Sequence, residues 1–201
     1  MADSALYHDG SRRLQDRFDT RRLADRLEQV IAHAVFTDGD RAFIESRSMF
    51  FLATADTEGR PDCSYKGGRP GFVKVVGPGT LAFPSYDGNG MFKSLGNLLV
   101  NPSVGLLFID FESPKRLRVN GRASIDERDP LLADFVGAQL LVRVEAAAIF
   151  PNCPRYIHKM QPVETSPYAP AEGHTPPVPE WKTRPVFREV LPPGDPACSA
   201  G

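Results

Sequence analysis

The chain has 201 residues, 41% of them apolar and 24% charged, with a formal net charge of −1. This is the composition of a soluble globular protein long enough to bury one sizeable core. The charge balance argues against a dedicated nucleic-acid binder, which would carry a basic stripe, and no apolar stretch approaches the ~20 residues that a spanning helix requires.

Along the chain, the N-terminal MADSALYHDG lacks a basic-then-apolar layout, so a cytoplasmic location is expected. Cys63, Cys153 and Cys198 are scattered, forming neither a disulfide framework nor a CxxC metal pattern, which suits a reducing compartment. Apolar residues at 14, 18, 23, 27, 30, 31, 34 and 35 keep helical spacing and predict one amphipathic helix over 11–35. Its arginines (12, 13, 17, 21, 22, 26) alternate with Asp16, Asp19, Asp25 and Glu28, as on a solvated face. Thr37-Asp38-Gly39-Asp40 reads as a capping box opening a second short helix through Glu45.

From Met49 the pattern turns to strands. Segments from Met49, over 62–66, 72–76, 81–83, 104–109, 117–125 and 139–150, are separated by turn chemistry at 57–61, 67–71 and 77–79. A short helix follows Gly88-Asn89-Gly90, and Asp129-Pro130 starts another that runs to about 136. Strands at ~10-residue spacing without alternating helices predict a mainly β protein, an antiparallel barrel with flanking helices. Three parts are expected: a helical extension over 1–40, the barrel domain over 41–160, and a tail over 161–201 that holds ten of the 19 prolines.

Three groups of residues could carry chemistry. Around Gly88-Asn89-Gly90, a turn leading into a helix start gathers Asn89, Lys93, Ser94 and Asn97, offering N–H groups, a hydroxyl and one cation to a phosphate. An ordinary Asn-Gly loop is the alternative on these residues. Ser64-Tyr65-Lys66 and Phe72-Val73-Lys74-Val75 form neighbouring strands against which a flat ring could lie, or a plain surface hairpin. Arg116 and Arg118 share one strand face, with Asn120 in the same row, suiting an anion, a subunit contact or simply solvent. No catalytic dyad can be drawn. His8, His33, His158 and His174 show no metal spacing, and Cys153 after its strand is either a reactive thiol or structural.

Taken in order, FFLATADTEGRPDCSYKGGRPGFVKV, LAFPSYDGNGMFKSLGNLLVNPSVGLLFIDF, LRVNGRASI and FPNCPRYIHK make residues 41–159 resemble the pyridoxamine 5′-phosphate oxidase-like family, in a branch of uncharacterised flavin-nucleotide-binding proteins. The resemblance implies a six-stranded antiparallel split β-barrel that forms a homodimer and holds two FMN molecules in clefts between subunits. Ser64, Tyr65, Lys66, Val73, Lys74 and Val75 would then line the ring and ribityl side, and Phe83 and Pro84 would border the cofactor. Lys93 and Ser94 fall where the oxidase holds the phosphate, and Asn89 and Asn97 belong to the variant of this branch. Arg116, with Arg118 beside it, would reach the flavin from the partner subunit. The oxidase's C-terminal Arg and Trp pattern is not reproduced by the proline-rich tail, so pyridoxamine phosphate itself is not the implied substrate. The expected activity is FMN-dependent redox chemistry on an unknown small molecule, with NAD(P)H as electron partner and no nucleic acid or membrane involved. A non-catalytic flavin-binding or sensing protein is the alternative. A haem-binding split barrel would need an axial ligand, and no histidine lies between residues 41 and 150.

Overall fold

In the computed structural model, Ser4 and residues 6–199 are described. The predicted first helix is two: α1 (Asp9–Arg17) and α2 (Arg21–Ile31). Between them Asp19 takes a left-handed φ of 52°, while Thr20 N–H bonds to the Gln15 carbonyl and Asp19 N–H to that of Asp16. This pair of bonds is a Schellman stop, built here on Asp instead of the usual Gly. The apolar stripe is also largely uncovered: Leu14, Phe18, Leu23, Leu27 and Val30 are exposed, and Ala24 is the buried residue of the two helices. After α2 the chain extends, and His33 exchanges backbone hydrogen bonds with Ile149.

The capping box forms as expected at α3 (Asp38–Glu45), Thr37 Oγ1 accepting from Asp40 N–H. Asp40 also lies 2.8 Å from His33 Nε2. Its carboxyl is held below the usual range: burial opposes this, but bonds from Thr37 and His33 outweigh it.

Seven strands follow: β1 (Met49–Ala55), β2 (Pro61–Gly67), β3 (Lys74–Gly77), β4 (Thr80–Tyr86), β5 (Ser103–Asp110), β6 (Lys115–Asp126) and β7 (Ala138–Pro151), with α4 (Lys93–Val100) between β4 and β5. All pairings are antiparallel in one sheet of order β2-β1-β5-β6-β7-β4-β3. The sheet has one strand more than the family resemblance implies, and no ladder joins β2 to β3 to close it. At one edge of the sheet the short β3 pairs with β4 alone because residues 68–73 leave β2 as a turn. Its free edge is satisfied by α3, with Val75 N–H donating to Glu45 at 3.0 Å and Arg41 donating to the Val75 carbonyl, which protects it from pairing with another chain.

The sheet is rolled. β1 and β4 stand four ladder steps apart, roughly 19 Å in a flat sheet, yet the rings of Phe50 and Phe83 meet at 5.0 Å. Phe108 lies 5.1 Å from Phe50 on another side. A bulge at Asn120/Gly121 helps the bend. A Cβ at Gly121 would lie 2.1 Å from the Glu145 carbonyl oxygen, so only glycine fits there. The inside of the roll is packed by Phe50, Leu52, Leu81, Phe83, Leu106, Phe108, Val119, Val142 and Ile149. No helix among the described residues is long and apolar enough to cross a membrane.

Beyond β7 the chain forms short turns, a 3₁₀ turn (Glu180–Thr183), α5 (Pro185–Arg188) and α6 (Pro196–Ser199). It is anchored by Ala169, Lys182 and Ala197, all buried.

Candidate functional site

Where β1 and β2 pair, Phe50 stands opposite Lys66, Leu52 opposite Ser64 and Thr54 opposite Asp62. Directly paired residues share a sheet face, and Phe50, Leu52 and Thr54 point inward. The row Asp62, Ser64, Lys66 therefore faces the interior too, a polar wall beside an apolar one.

α4 packs across this wall. Ser94 Oγ donates to Asp62 Oδ2 at 2.8 Å. With its one proton committed there, it accepts from Ser64 Oγ at 2.9 Å. One turn on, Asn97 donates to Thr54 Oγ1 at 3.0 Å, and both side chains are buried. Ser94 and Asn97 are thus tied into the protein, and Asn97 serves as a buried strut between α4 and β1.

Beside the hydroxyl chain lies a cavity of about 240 Å³, lined by Tyr65, Lys66, Gly67, Phe72, Phe83, Pro84, Ser85, Tyr86, Asp87, Gly88 and Leu95. The Lys66 ammonium is pushed below its usual pKa by burial, partly offset by the charge of Asp62. Burial raises the Tyr86 phenol. At the near end of the cavity, α4 begins without a side-chain cap, on Phe92 at φ 47°, ψ 29°. A left-handed phenylalanine is a strained start, and its first-turn N–H groups carry the positive end of the helix dipole. Lys93 is exposed in that turn. Asn89 accepts from Met91 N–H at 3.1 Å and so shapes the loop before it.

The other sequence-predicted residues lie in different places. Val73 and Val75 bury their side chains in the core, leaving only their backbone to a ligand. Lys74 points elsewhere, 2.9 Å from Asp134 and over the Phe135 ring at 4.8 Å. Leu117 and Val119 face inward, so Arg116 and Arg118 stand on the outer face, opposite Ile109 and Leu107, and Arg116 donates to the Cys153 carbonyl. The exposed Tyr65 ring and Phe51 share that outer face, 6.2 Å apart. Within one chain, the phosphate-type residues and the arginines are on opposite sides of the sheet. Sequence reasoning misses Asp62, Tyr86 and Asp87. Asp62 is open to period-2 alternation from Ser64 and Lys66; the other two follow from how the loop after β4 returns.

The sequence pattern of the family described as pyridoxamine 5′-phosphate oxidase matches residues 36–165, nearly two thirds of the chain. The chain belongs to the pyridoxamine 5′-phosphate oxidase family. The matched span of this family member takes in every strand, α3, α4 and the cavity. A comparison with curated proteins finds no match. Among solved structures, the chain is similar to HupZ of Group A Streptococcus, with 17% identity, TM-score 0.47 and coverage of 58% of this chain and 93% of that one. An FMN-binding protein from Syntrophomonas wolfei is 12% identical with TM-score 0.44, covering 70% of this chain and 97% of that one. The heme storage protein HutZ from Vibrio cholerae is 25% identical with TM-score 0.38, covering 52% and 85%.

Proposed function

We propose that this member of the pyridoxamine 5′-phosphate oxidase family binds FMN and performs flavin-mediated redox chemistry on a small molecule, as a cytoplasmic homodimer. In this reading the rolled sheet is the family's six-stranded split barrel with one strand added. The observation that carries it is the cavity between Tyr65-Lys66 and Phe83-Pro84, which abuts the uncapped start of α4. A flat ring suits the first part. A phosphate suits the second, where Leu95 of the first turn of α4 lines the cavity, Ser94 beside it is bonded to Ser64, and Lys93 is exposed in the same turn.

The donor set fits the phosphate, and one group opposes it. Asp62 accepts from Ser94, so a phosphate must draw that hydroxyl away from a carboxylate and sit near its charge. Each charge-assisted hydrogen bond gained is worth about 1.5–3 kcal/mol, so three or four donors outweigh one such repulsion. Bound FMN supplies an isoalloxazine ring able to accept and donate electrons. Lys66, half-buried at the cavity wall, would place a proton donor against a carbonyl or ring nitrogen. Phe72, Phe83 and Pro84 would keep water from that face.

A second copy of the chain would cover the outer-face patch of Phe51, Tyr65, Leu107 and Ile109 and bring Arg116 and Arg118 to the partner's cavity. Light scattering should report a dimer; a monomer would remove the arginines from the site. The purified protein should be yellow or take up added FMN with quenching of flavin fluorescence. A colourless protein that ignores added FMN would overturn the reading. With FMN in place, steady consumption of NADH or NADPH supports an enzyme, and none with any acceptor leaves a binding protein.

A further inference from the structure

Lys182, in the proline-rich C-terminal segment, is 2% exposed. Its ammonium is clasped by two carboxylates, Asp87 Oδ2 and Asp195 Oδ2, each at 2.6 Å. A lysine is rarely buried unless paired, because an uncompensated charge there is heavily penalised. Asp195 belongs to the same segment and also caps it, accepting from Ala197 N–H at 2.9 Å. Asp87 belongs to the other side. It lies just after β4, lines the cavity, and opens the loop 87–92 that leads to α4. The side chain of Asp87 is 56% exposed, against 3% for Lys182 and 7% for Asp195, so the clasp is fixed in the tail and its free end grips the loop.

The loop has little else to hold it. Gly88 and Gly90 leave its backbone free, and within it the bond from Met91 N–H to the Asn89 side chain is local. Its far end is the strained Phe92. We propose that Lys182 is a positioning residue: by pinning and neutralising Asp87 it holds loop 87–92 as a fixed wall of the cavity, making the C-terminal segment part of the ligand site. Without the latch, the loop is released and Asp87 presents an unpaired carboxylate at the entrance of a site that would take a phosphorylated ligand. The consequence for the ligand rests on the FMN reading; the consequence for the loop does not.

The sole tryptophan reports on the latch, since Lys182 Nζ lies 5.7 Å from the Trp181 ring. Asp87→Ala is the cleaner variant because it removes the acceptor that grips the loop while leaving the buried Lys182–Asp195 pair intact. In the ligand-free full chain, trypsin cleavage after the exposed Lys93 should rise roughly tenfold or more, as expected when a charge-assisted hydrogen bond is lost from a segment that opens quickly. Cleavage after the lysine and arginines within β6 should stay unchanged, and Trp181 emission should shift. Lys182→Met should do the same and also loosen residues 184–199. With FMN as probe, both variants should bind roughly tenfold more weakly than the parent. Unchanged cleavage after Lys93 in Asp87→Ala overturns the latch. FMN failing to bind the parent chain overturns the flavin reading while the cleavage result stands. Normal FMN affinity in a variant whose loop has opened confines the latch to the loop and overturns its role in the site.

Discussion

β1 and β2 are paired residue for residue, yet their inner faces differ in kind. Phe50 and Leu52 have no exposure, and Phe50 meets Phe83 and Phe108 across the roll. Opposite them, Lys66 borders a cavity and Ser64 joins a chain of hydroxyls ending on Asp62. The ladder imposes the same direction on both rows; burial and partner decide what each does. The apolar row holds the fold together, and the polar row, at the sheet's edge, is free to serve a ligand because few core contacts depend on it.

The largest expected effect breaks the first row. Phe50→Ala removes a ring shared by three aromatic neighbours and should destabilise the protein by about 3–5 kcal/mol, read from the urea midpoint. Ser64→Ala, one ladder step away on the other strand, should change stability by about 1 kcal/mol or less. Similar losses for the two would erase the distinction between the rows. Next in size is Asn97→Ala, which leaves buried Thr54 without its donor and should cost about 1–3 kcal/mol. It acts on the seam where the rows meet, so chemical denaturation should register it while FMN affinity falls little. A large affinity loss at unchanged stability would move Asn97 from strut to ligand contact.

A smaller effect separates charge from packing within the polar row. Asp62→Asn keeps an acceptor for Ser94 and removes the negative charge. Two unit charges about 4 Å apart interact by about 1–4 kcal/mol between water and a protein surface, so FMN should bind roughly tenfold more tightly, with stability nearly unchanged. Weaker binding in the variant would show that the carboxylate assists the ligand.

Much of this contrast is legible in the amino-acid sequence. Residues Met49–Ala55 read as a strand from their apolar and β-branched content, and all seven strand segments appear where the turn chemistry separates them. The Thr37/Asp40 capping box is legible because both its partners lie within four residues. The break at Asp19 is not, since the helical period continues across it and a left-handed Asp carries no glycine signal. Ser64, Lys66 and Ser94 can be picked out from residue type, whereas the burial of Val73 and Val75 and the outward turn of Arg116 depend on which face the roll encloses. The Asp87–Lys182 clasp joins residues 95 apart, beyond the reach of any local pattern.

The smallest expected effect tests what burial does to the polar row. Burial lowers the Lys66 pKa below that of the unfolded chain. Between the two values the unfolded chain holds the extra proton, so this group makes the free energy of unfolding rise with pH across that window and lowers stability beneath it. Lys66→Met keeps much of the side-chain volume and removes the charge. The variant should therefore be at least as stable as the parent at pH 7, with the gap closing toward pH 10 as the parent's lysine deprotonates. Other groups titrate in both proteins, so the difference between their urea midpoints isolates Lys66. A gap that stays constant with pH would mean that the ammonium is not penalised by the cavity wall. In the same variant FMN should bind roughly tenfold more weakly, the loss expected for one charged hydrogen bond. Greater stability with weaker binding in a single substitution is the result that a ligand-serving row predicts and a structural row does not.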